Sequence, residues 1–200
     1  MRGSELSRGE DRAVVFARQD LFDSGKWNCV WALEKWSEEA CDFVRKVLGL
    51  SKACPVASAW LLKKVGPAEE LVIVPGNLLL NEGIAQVWDL AIAATSSNKY
   101  DNANSRIGIG DSTTAEAATQ TDLQAASNKT YKAMNATFPS RASQTVTFKS
   151  DFTSGDANYH WQEWVVDNGG TSGLTLNRKV QDNGTKATGT WTPSAAITLS

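Results

Sequence analysis

The chain has 200 residues, with 20 basic against 22 acidic side chains and a formal charge of −2. That balance, with no basic block, argues against a nucleic-acid partner, and no run reaches the roughly 18 apolar residues of a membrane span. Cys29, Cys41 and Cys54 are odd in number and form no C-x-x-C pair, and His160 stands far from them, so reduced thiols and no metal or cofactor are expected.

The opening "MRGSELSRGEDRAVV" is charged and polar with no apolar core behind it, which argues against a secretory signal. Residues 1–30 read as irregular or extended, because "RAVVFARQDLFDSGKWNCVWALEKW" holds no sustained period. Trp27, Trp31 and Trp36 fall within ten positions. Each indole favours burial of roughly 150–250 Å², so the three either enter this chain's own core or anchor it on a neighbour.

A helix is expected from Ser37, which suits an N-cap before Glu38 and Glu39. Apolar Phe43, Val44, Val47 and Leu48 follow, and Gly49 can end it. "CPVASAWLLKKVG" predicts a second short helix opening at Pro55 and ending at Gly66. "EELVIVPGN" predicts a strand running into a turn. "NEGIAQVWDLAIAA" predicts a third helix capped by Asn81, with Ile84, Val87, Trp88 and Ala91 on one stripe.

After Ser97 the texture changes to short alternating runs punctuated by Gly, Asn and Asp: "SRIGIG", "QTVTFKSDF", "HWQEWVVDN", "LTLNRKVQ", "TGTWTPS" and "AAITLS". Many short strands with turn residues between them predict a mainly β fold, an antiparallel β-sandwich of jelly-roll or Ig-like type. The expected division is an arm with short helices over 1–74, a linking strand-turn and helix over 75–97, and the sandwich over 98–200.

The candidate chemistry is sparse. "GIGD" resembles a phosphate loop, but a Walker loop needs a lysine where Asp111 stands, and a dinucleotide loop needs a third glycine and a helix. Gly108 and Gly110 alternate with Ile107 and Ile109, a strand pattern in which a glycine lets another side chain lie flat on the backbone. Asp156, Glu163 and Asp167 could meet as a carboxylate pair, and His160 could serve as a base, but no matched nucleophile accompanies them. "DNANS" with Asp111 lacks the spacing of a calcium loop. Tyr159, Trp161 and Trp164 could stack on a sugar, with core packing as the alternative. No catalytic residues are expected.

Taken together, "PGNLLLNEGI", "IGIGDSTTAEAATQTDLQ", "TVTFKSDFTSGDANYHWQEWVV" and "LTLNRKVQDNGTKATGTWTPSAAITLS" resemble a group of small virion structural proteins of tailed bacteriophages, over about residues 75–200. The resemblance implies a non-enzymatic β-sandwich made in the bacterial host cytoplasm and built into the virion. It implies other virion proteins (tail, neck or major capsid subunits) as partners. Tail or tail-fibre attachment is the first expectation, capsid decoration, cement or head fibre the second, and a host-glycan-binding module the third. Self-association is expected because virion positions are repeated. Trp27, Trp31 and Trp36, with Phe43 and Trp60, are the expected docking anchors, since hot spots are rich in tryptophan.

Overall fold

The computed structural model describes residues 27–54, 56, 62–64, 66–94, 99–169 and 174–199. Trp60 and the stretch 1–26 lie outside them, as does most of the expected second helix, of which Leu62–Lys64 is helical. The strands in chain order are β1 (Trp27–Trp36), β2 (Glu70–Pro75), β3 (Leu78–Leu79), β4 (Arg106–Gly110), β5 (Lys129–Ala133), β6 (Ser140–Ala142), β7 (Thr145–Lys149), β8 (Glu163–Asp167), β9 (Thr175–Val180) and β10 (Thr190–Leu199). Helix α1 (Glu38–Leu48) follows β1, and α2 (Asn81–Ala91) follows β3.

The strands form two five-stranded antiparallel sheets, ordered β2-β1-β10-β7-β6 and β3-β9-β8-β4-β5. The chain is a β-sandwich. Its core lies between the sheets, where Trp31 of β1 stacks on Trp164 of β8 at 4.8 Å and 14°. Trp161 meets Phe152 and Trp191 edge-on at 5.0 and 4.8 Å. Offset and edge-on packing suits the ring quadrupoles and adds to the area buried.

The expected boundary between arm and sandwich does not hold. β1 lies between β2 and β10 and pairs with β10 along its whole length, from Trp27 opposite Leu199 to Trp36 opposite Thr190. Residues 27–79 therefore supply two strands of one sheet and an edge strand of the other. The apolar side chains Cys29, Trp31 and Leu33 do alternate inward, but over too few residues to show in a wide window, and the partner strand is remote in sequence.

β10 is also longer than its sequence suggests, because Pro193 separates "TWTPS" from "AAITL" without breaking the strand. Proline can sit there because pairing with β7 begins only at Ser194, and the neighbouring contact uses the Pro193 carbonyl, which accepts from Ser150 N at 3.3 Å.

Helix α1 matches its sequence signals. Ser37 Oγ accepts from Ala40 N at 3.2 Å, and Gly49 takes the left-handed conformation at φ 67°. Its inner side, with Trp36, Cys41, Val44, Val56 and Leu62, forms a second, smaller core. Helix α2 departs from expectation at both its cap and its face. Leu80, not Asn81, precedes the first turn and makes no side-chain cap, while Asn81 N donates to Ala118 O at 2.9 Å. The buried residues of α2 are Gly83 and Gln86, not the apolar stripe. Gly83 lets the helix approach β9 so closely that a Cβ there would stand 2.4 Å from the Leu176 carbonyl oxygen.

Candidate functional site: an apolar groove beside helix α2

Because α2 docks through a glycine and a glutamine, its apolar stripe is left outside. Trp88 is 64% exposed, and Ile84 and Val87 are partly open. These three side chains form one wall of a groove of about 380 Å³. Val146 and Phe148 of β7 and Ile197 and Leu199 of β10 form the opposite wall, on one sheet. Leu79 and Leu176, from the other sheet, line it between them. Trp27 and Tyr100 close its margins. Each is held by a hydrogen bond: Trp27 Nε1 donates to Asn77 Oδ1, and Tyr100 Oη donates to the Leu174 carbonyl, both at 3.0 Å. Burial pushes the Tyr100 phenol well above its ordinary range. The lining offers apolar contact and no charged side chain, so the groove is suited to binding an apolar surface and brings together no acid, base or nucleophile.

The predicted docking residues divide. Trp31 and Trp36 are 0% and 2% exposed, one in each core, and cannot anchor a neighbour. Trp27 is half-buried and lines the groove. Phe43 is exposed on α1, one turn from exposed Val47. The sugar-stacking set fails for a similar reason: Trp161 and Trp164 are fully buried between the sheets, where two apolar faces enclose them, and only Tyr159 is half-buried. The sequence did place Ile84, Val87 and Trp88 on one stripe. The signal that this stripe is left outside is Gly83, one turn before Val87 on the flank of the stripe, where a glycine allows the backbone to approach β9 closely.

The acidic candidates do not converge. Asp167 pairs with Arg106, Asp156 with Lys132 and Glu163 with Arg178, each with its own cation. Glu163 and Arg178 have fully buried side chains that organise the loop after β4. The Glu163 carboxylate accepts from Gln124 N at 2.9 Å and Ala125 N at 2.7 Å, and Arg178 donates to Gln120 Oε1 and the Thr114 carbonyl, both at 2.9 Å. A Cβ on Gly110 would lie 2.4 Å from a Glu163 oxygen, and one on Gly108 would lie 2.4 Å from the Tyr131 ring. The two glycines thus make room for side chains laid over β4, as the strand pattern predicts, and the polar loop after them is fastened to a buried ion pair rather than open to phosphate.

His160 is half-buried in the connection between β7 and β8, away from the groove, with Nε2 2.7 Å from Asp182 Oδ1 and Nδ1 3.0 Å from Thr185 Oγ1. Asp182 is held below the usual carboxylate range by the Gly184 amide first and then by His160. Cys29 and Cys41 are buried free thiols, Cys54 is partly buried, and burial pushes Cys29 up to about 12. Among the described residues no cluster of metal-ligating side chains occurs and no helix is long and apolar enough to cross a membrane. No known protein family, curated protein or solved structure matches the chain.

Proposed function

We propose that the protein is a non-enzymatic structural component of a tailed-bacteriophage particle, held in place by apolar docking through the groove beside α2. The observation that carries this reading is the outward apolar stripe of α2 with its adjoining groove. An exposed tryptophan next to a concave apolar wall is what a binding surface needs. The charged side chains of the candidate catalytic positions are meanwhile engaged in ion pairs that hold loops. The sequence resemblance supplies the virion context, and tail or tail-fibre attachment is the placement preferred over capsid decoration or head fibre. With Trp161 and Trp164 buried, the glycan-binding reading keeps only the half-buried Tyr159 of its three stacking residues and is the less supported one.

Trp88→Glu tests the proposal in assembled particles. Trp88 is largely open, so the variant should unfold within about 0.5 kcal/mol of the parent. Loss of a tryptophan anchor is worth about 2 kcal/mol or more, roughly 30-fold in affinity. The expected result is a normally folded protein largely missing from purified virions. A variant incorporated at the parental level would overturn the docking role of the groove.

A further inference from the structure

Lys186 lies in the connection between β9 and β10, which crosses from one sheet to the other, and its side chain is fully buried. Its Nζ donates to the Thr153 carbonyl at 2.7 Å, the Asp156 carbonyl at 3.0 Å and Asn158 Oδ1 at 2.8 Å. All three acceptors are neutral oxygens of the β7–β8 connection, the other inter-sheet crossing at this end of the sandwich. A buried ammonium without a carboxylate in direct contact is costly, even when hydrogen-bonded. That burial lowers the amine to about 8, against the raising influence of the Asp156, Glu38 and Cys41 charges. The free amine, the nucleophilic form, is therefore accessible near neutral pH. The third acceptor differs from the other two, because it is a side-chain amide with an electrophilic carbon and a leaving nitrogen. Asn158 is also exposed, so a small product can escape to solvent. Asn158 Nδ2 donates to the Ser154 carbonyl at 2.6 Å, which fixes the amide beside the amine.

We propose that Lys186 and Asn158 form an intramolecular isopeptide bond that staples the two inter-sheet crossings. The Lys186 Nζ lone pair adds to Asn158 Cγ, the Cγ–Nδ2 bond breaks, and one Nζ proton passes to the departing nitrogen, which leaves as ammonia. The proton shed by the ammonium beforehand goes to solvent or to the Asp156 carboxylate, whose charge acts on Lys186. No oxidant or co-reactant is consumed. The product replaces a buried charge with a neutral amide, which removes the desolvation cost that the unreacted site bears.

The test is the intact mass of the full-length protein, purified and then held at mildly alkaline pH, followed by peptide mapping. The expected result is a mass one ammonia below the sequence value and a branched peptide joining Asn158 to Lys186. Asn158→Ala, a change at an exposed side chain, and Lys186→Arg should each restore the full sequence mass. A wild-type mass equal to the sequence value after incubation, or one raised by deamidation of Asn158 without a branched peptide, would overturn the proposal. So would an ammonia loss that persists in Asn158→Ala.

Discussion

Gly108 shows how a single missing methyl group sets the packing of a whole strand. Tyr131 and Val165 both close over it, and its Cβ would stand 2.4 Å from one and 2.8 Å from the other. Gly108→Ala should destabilise the fold by about 1–3 kcal/mol, as overpacking does, read from the denaturant midpoint. Adding Tyr131→Ser should cost less than the sum of the two single changes, because it removes the obstructing ring. Glu38 works by charge instead. Burial alone would raise its carboxyl, but hydrogen bonds from Ser154 and Arg45, with the Gly189 amide, outweigh it and hold the group at about 2 against an ordinary 4.5. A carboxyl lowered on folding stabilises the protein above its unfolded value, and that contribution disappears as pH falls from 4.5 toward 2. The stability gap between the parent and Glu38→Gln, followed by urea unfolding, should be full near neutral pH and narrow through that window. A gap independent of pH there would show that the ionised carboxylate is not the stabilising form. At this scale the sequence was informative about Gly108 and Gly110, whose alternation with isoleucine is local. It could not show Glu163 paired with Arg178 or Lys186 inside its loop, because those contacts depend on how remote segments cross.

Among the elements, α1 was readable from end to end because its cap, first-turn acids and terminal glycine act within one turn of the backbone. Ser37 both accepts from Ala40 N and donates to Glu69 Oε1 at 2.7 Å, joining the helix start to the segment leading into β2. Ser37→Ala should cost about 1 kcal/mol and Ser37→Thr distinctly less, since threonine keeps a capping oxygen; thermal unfolding of the two variants checks the order. Helix α2 carries an equally clear stripe, but amphipathicity reports only which residues share a face, not what that face meets. Its close contact with β9 is decided by a glycine, and the stripe is thereby turned toward the groove. β4, β7, β8, β9 and the two halves of β10 were legible from their alternation and their Gly, Asn and Asp turns, whereas β5 and β6 were not, since the first has no fully buried face and the second is three exposed residues long. β1 was not, since Glu34, Lys35 and three indoles blur a period of two over only ten residues.

At the scale of the molecule, the sandwich is closed by strands far apart in the chain. A fragment spanning 98–200 lacks β1, and with it the indole that stacks on Trp164 and the partner along all of β10. It should show no cooperative urea transition, whereas the full chain should show one; a cooperative fragment would mean that the core tolerates loss of the Trp31–Trp164 stack. The same pairing has a consequence in time. β1 emerges early from the ribosome and β10 late, and neither can complete its sheet without the other. Until β10 follows, β1 lacks the partner along its whole length, so completing this sheet is a non-local closing step that comes late in folding.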